Sequence, residues 1–133
     1  MAQIGVAKIR RDKAAERVEA LADAHVFVAA GNSYEWSWYQ SRISVCAPGA
    51  KSETVLHQSR RQLARPLISP DGRSVAFITS TWSDRGVTSG DLYVVPTDGG
   101  DARDLTPAYG GSVSWMEWSA DGRSLLFLAL TGF

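Results

Sequence analysis

Ser69–Ile78 reads "SPDGRSVAFI" and Ser119–Leu128 reads "SADGRSLLFL": one six-residue turn written twice, fifty residues apart, each time running into an apolar stretch. A recurrence at such a period is the mark of a repeat architecture, and it governs how the rest of the chain is read. Within the turn, Pro70 presets φ for the first turn position, Asp71 can accept a hydrogen bond from the backbone two residues on, and Gly72 takes the positive φ that closes a tight hairpin. Asp121 and Gly122 repeat the last two roles. A further turn, "TDGGDA" at Thr97–Ala102, places Gly99 and Gly100 between "DLYVVP" and "ARDLT".

The recurrence extends beyond the turn. Phe27, Phe77 and Phe127 are spaced by fifty twice over, each centred in an apolar run, and Ile43, Val45 and Leu56 precede Leu92, Val94 and Leu105 by forty-nine. From His25 onward, short apolar runs separated by Gly, Pro, Asp and Ser read as successive strands, near 26–30, 42–47, 54–57, 74–80, 91–96, 103–105, 113–118 and 124–130. Each unit is a four-stranded antiparallel meander: a strand before the Asp-Gly turn, one after it, then "DLYVVP", then "RDL". The strands after the turns are apolar on both faces, as expected where each side of a small sheet is covered by another. The fold class is therefore all-β, an incomplete β-propeller of about two and a half blades (25–60, 64–107 and a truncated 112–133). Since propellers close with about four to eight blades, the ring is incomplete here, and "SLLFLAL" is expected to end as a bare apolar edge. Residues 1–24 differ in texture: "AKIRRDKAAERVEALADA" puts Ala14, Val18 and Leu21 on one helical stripe and predicts a short lead-in helix.

Composition narrows the function classes. Of 133 residues, 44% are hydrophobic and 21% charged, enough for one core; 14 basic and 14 acidic residues give a net charge of +0, so nothing calls for nucleic acid or an anionic membrane. No apolar run approaches a bilayer-spanning length, and no secretory signal is seen, so the expected compartment is cytoplasmic. The single cysteine, Cys46, reads as a small apolar strand residue.

The pattern "ISPDGRSVAFITS…GDLYVVPTDGGDARDLTP…SWMEWSADGRSLLFLA" over Leu67–Ala129 resembles the propeller repeats of the prolyl oligopeptidase family of serine peptidases, including its acylaminoacyl-peptidase-like branch, and those of TolB-like proteins. The peptidase resemblance implies a non-catalytic propeller that caps a following α/β-hydrolase domain and restricts access to short peptides; the partners it implies are the missing blades, that hydrolase domain and a peptide substrate. The TolB-like alternative implies a protein-binding module without chemistry.

No catalytic residue is expected in this chain. An α/β-hydrolase nucleophile needs a G-x-S-x-G elbow, and the nearest string, "GGSVS" at Gly110–Ser114, lacks the final glycine; Ser112 reads as a loop residue. His25 and His57 flank strands without Cys or His at ligand spacing, so neither a metal nor a cofactor is expected. Asp71 and Asp121 resemble an acid–base pair but each has its own turn to hold. Two stretches carry large aromatics suited to substrate contact: "NSYEWSWYQ" with Tyr34 and Trp36, and "TWSDRGVTSGD" with Trp82 and Arg85. For the first, a second reading stays open, in which Tyr34, Trp36 and Trp38 alternate along one strand face and cover the first blade.

Overall fold

In a computed structural model of the protein, residues 1–8, 24–31, 35–80 and 89–132 are described. They are all-β, with ten strands and one 3₁₀ helix. Three strands, β2 (His25–Ala29), β3 (Arg42–Cys46) and β4 (Thr54–Gln58), form a separate antiparallel sheet. The others, β1 (Ala2–Lys8), β5 (Gln62–Ile68), β6 (Ser74–Ser80), β7 (Gly90–Pro96), β8 (Arg103–Asp104), β9 (Gly111–Trp118) and β10 (Ser124–Thr131), make a seven-stranded sheet in the order β1-β10-β9-β7-β6-β5, with β8 on β7. The β7–β9 link rests on one pair, Gly90 with Val113, and there the sheet folds back on itself. Trp118 of β9 donates its indole N–H to the Leu67 carbonyl of β5 at 3.0 Å, tying the two halves together.

The result is three layers and two cores. Ile43, Val45 and Leu56 of the small sheet pack against Leu63, Val75, Phe77 and Val95. On the other side of β6, Ala76 and Ile78, with Ala64 and Leu92, meet Val113, Met116, Leu125, Phe127 and Ala129. Strand β6 therefore lies between two cores, which is why "SVAFIT" carries apolar residues on both faces: Val75, Ala76, Phe77 and Ile78 are all fully buried. Phe77 and Phe127 belong to different cores, and Phe27 to neither.

The fifty-residue recurrence reappears as register. Phe27 pairs with Ser44 across β2–β3, Phe77 with Tyr93 across β6–β7, and Phe127 with Gly5 across β10–β1. Strand β1 thus takes on β10 the place that β7 takes on β6. Two expectations are corrected here. Ala2–Lys8, within the segment read as a lead-in helix, is a strand; alternating burial at Val6, Ala7 and Lys8 and seven ladder pairs with β10 outweigh local helix preference. Residues 9–23, which carry the rest of that stripe, lie outside the described residues. Likewise β10 is not a bare edge, since β1 covers it from Ala2–Leu130 to Lys8–Ser124, and the Met1 N-terminal amine and the Thr131 carbonyl close the ladder at 2.9 Å. Gly5 permits the close approach: a Cβ there would lie 2.0 Å from Phe127 Cζ, so the ring occupies the space of a side chain.

Candidate functional site

The two Asp-Gly turns are near-copies in geometry. The Ser69 N–H donates to the Ser74 carbonyl at 2.8 Å, and the Gly72 N–H to the Ser69 carbonyl at 2.8 Å; in the second turn the Ser119 N–H donates to the Ser124 carbonyl and the Gly122 N–H to the Ser119 carbonyl, both at 2.9 Å. Asp71 Oδ1 accepts from Arg73 N–H at 3.3 Å and from the Ser69 hydroxyl at 2.5 Å, and Asp121 Oδ1 from Arg123 N–H at 3.0 Å and the Ser119 hydroxyl at 2.6 Å. The Ser119 hydroxyl, followed by the Arg123 N–H, holds the Asp121 carboxyl below its ordinary range. Gly72 and Gly122 have φ of 69° and 63°, and Pro70 stands at the first turn position of the former. Sequence reasoning missed the leading serines, whose hydroxyls also accept from Ser74 and Ser124 N–H at 3.0 Å; their repetition at both turns was the available signal. Gly99 and Gly100 adopt φ of 97° and 125°, and neighbouring Thr97 donates its hydroxyl to the Gly72 carbonyl at 2.8 Å, joining the two loops.

The residues expected to touch substrate are distributed otherwise. Tyr34, Trp82 and Arg85 lie outside the described residues. Trp36 stands in the 3₁₀ helix Glu35–Gln40, which replaces the strand face proposed for "NSYEWSWYQ". Instead Ser37 turns inward, 1% exposed, while Trp38 and Tyr39 remain half exposed. Ser112 lies within β9, paired with Leu130, and not in a loop: "GSVSWMEW" is one strand, whose pairing with β10 shifts register between Trp115 and Val113. A residue inside such a ladder lacks the strained strand-to-helix turn that a hydrolase nucleophile needs.

Titratable groups with shifted pKa values also lie beside the cores. The His57 ring lies tilted against Phe77 with centroids 5.0 Å apart, and burial lowers its pKa. Along β7 and β8, Asp91, Tyr93 and Asp104 converge. Desolvation, then the Asp104 charge, raises Asp91, opposed by Arg61; desolvation also leads the rise of Tyr93. Asp104 is engaged locally, accepting from Thr106 N–H at 2.8 Å. Among the described residues no group of three or more His, Cys, Asp or Glu is placed to hold a metal, and no helix is long and apolar enough to cross a membrane.

Between the small sheet and β5 opens a cavity of about 350 Å³, lined by Val28, Trp38, Ser41, Leu63, Ala64 and Arg65 among others. Two features mark it. Ser41 is 2% exposed, yet its hydroxyl has no hydrogen-bond partner. Arg65 has φ of 49°, the one non-glycine residue with positive φ among those described, at the bulge between Ala64 and Leu67 in β5. The sequence signal was "ARPL": a proline inside a strand confines it to an edge or a bulge, and β5 is both.

No protein-family model matches the chain. It is similar to the uncharacterized peptidase YuxL of Bacillus subtilis (strain 168), at 46% identity over 67 residues, which is 50% of this chain and 9% of that protein. The chain thus matches a small part of the relative's length and is related to a peptidase over that part.

Proposed function

We propose that this chain is a non-catalytic propeller portion of a serine peptidase of the prolyl oligopeptidase type. Its three layers act as successive blades that, with further blades, cap an α/β-hydrolase domain and admit short peptides. The observation that carries the reading is the unequal burial of equivalent positions. Ala76 and Ile78 are fully buried against the next layer, while Leu126, fifty residues on from Ala76, is 41% exposed. Beside it across the ladders lie Val6, Ile4 and Trp115, 60%, 73% and 36% exposed. A face of that chemistry on the third layer matches the face that the second layer buries, and another blade there would contribute a few kcal/mol from these side chains. Similarity to a protein named as a peptidase supports the same reading. The reaction belongs to residues outside this chain: the described part offers binding surface and shielding.

Labelling with a fluorophosphonate probe tests it. The 133-residue chain should not label, and the longest translation product of its gene that includes these residues should label at a serine in a G-x-S-x-G sequence. A product that completes its blades without any labelled serine would overturn the peptidase reading in favour of a protein-binding propeller.

A further inference from the structure

The outer face of the third layer, made by β1, β10 and β9, is apolar in its middle and charged on both of its outer strands. Side chains alternate along a strand and directly opposed residues share a side, so the rows of this face follow from the register. Val6, Leu126 and Glu117 form one row, and Ile4, Leu128 and Trp115 the next. Lys8 stands one row beyond Val6 on β1. The reverse side of the same three strands, with Ala7, Phe127 and Met116, is buried in the core. Ile4, Val6, Trp115 and Leu126, all exposed, are thus gathered on one side of one sheet, and a contiguous apolar patch of this kind marks a surface of interaction.

The placement of charge selects the occupant. Lys8 is exposed on β1 and Glu117 is exposed on β9, the two outer strands, one row apart along their length. A two-fold axis along β10 exchanges the outer strands without reversing them: β1 of each copy lies over β9 of the other, Lys8 comes beside Glu117, and Ile4 comes over Trp115. The other two-fold in the plane of the face, across the strands, sets Lys8 over the Met1 end of the second β1, where the N-terminal amine carries the same charge, and leaves Glu117 against Trp115 without a cation. We propose that a second copy of this chain docks on this face about a two-fold axis along β10, with Ile4, Val6, Trp115 and Leu126 as its apolar middle and two symmetric Lys8–Glu117 pairs fixing the register. Such a contact is self-complementary and closes at two copies, and it packs sheet on sheet in the aligned manner. A face of three short strands supports a weak, concentration-dependent dimer and not an obligate one. Dimerisation of the 133-residue chain is independent of the peptidase reading, since it needs only this face, which in that reading a further blade would take.

Sedimentation equilibrium of the 133-residue chain at concentrations from about 5 to about 500 µM provides the test. The mass should rise from 14.4 kDa towards twice that value and no further. Lys8→Glu and Glu117→Lys each bring like charges together twice per dimer and should each weaken association about tenfold. The double variant Lys8→Glu with Glu117→Lys restores both opposite-charge pairs and should associate within about threefold of the parent; because it carries both substitutions, it also shows that neither acts by unfolding the chain. Val6→Glu puts a charge into the apolar middle and should abolish the dimer. A mass that stays at 14.4 kDa throughout, a mass that climbs past two copies, or a double variant as weak as the single ones would each overturn the proposal.

Discussion

Truncating the three phenylalanines spaced by fifty should give three different losses of stability, although each is centred in a short apolar run. Phe77 is fully buried between the small sheet and β6, with its ring 5.0 Å from His57 and 5.8 Å from Tyr93. Phe77→Ala therefore removes a whole aromatic side chain from a closed core and should cost about 3–5 kcal/mol, including loss of the ring pairs. Phe127 is 5% exposed and makes an edge contact to Tyr109 at 5.5 Å, but one side of it rests on the backbone of Gly5. Phe127→Ala should cost about 2–4 kcal/mol, softened because β1 can settle into the space. Phe27 is only partly buried and belongs to neither core, so Phe27→Ala should cost about 1 kcal/mol. For a chain of this size each kcal/mol moves the melting midpoint by roughly 3–5 °C. Differential scanning calorimetry should then separate Phe77→Ala from Phe27→Ala by roughly 10 °C, and Phe77→Leu offers a milder variant if the alanine form does not fold. Equal midpoints for Phe27→Ala and Phe77→Ala would refute the reasoning, since they would mean that a ring outside both cores and a ring inside one share the same environment.

Gly72→Ala forces a side chain onto a backbone with φ of 69° and should destabilise by about 1–2 kcal/mol, with Gly72→Asn losing less; equal losses in urea melts would remove the left-handed turn as the cause. Gly5→Val collides with the Phe127 ring, so amide exchange along β10 should rise while exchange in β6 stays as it was; an unchanged β10 would mean that β1 is not held there. Because burial lowers the folded pKa of His57 from 6.5, the neutral ring is the form that folding favours. Its contribution is intact above that value and is lost as pH falls through the folded pKa. Melting midpoints taken between about pH 7.5 and about pH 5 should fall more steeply for the parent than for His57→Gln, and parallel curves would contradict this.

The local chemistry of this protein was written in short range. Asp-Gly after Ser69 and Ser119 can do little other than turn, and a strand such as "SVAFIT", apolar at every step, requires cover on both sides. All-β class, strand positions and the repeat of fifty follow from such nearest-neighbour constraints, which act within a few residues and are legible in one dimension. The candidate cavity was not legible: Val28, Ser41, Leu63 and Arg65 come from separate strands and a helix end, and only stacking of one sheet on another brings them together. Nor was the pairing of β1 with β10, because a seven-residue strand with a middling pattern carries no mark of a partner more than a hundred residues away. Its place depends on an open edge and on the absence of a side chain at Gly5, and edge pairing is a property of which backbone groups remain unbonded once everything else has folded.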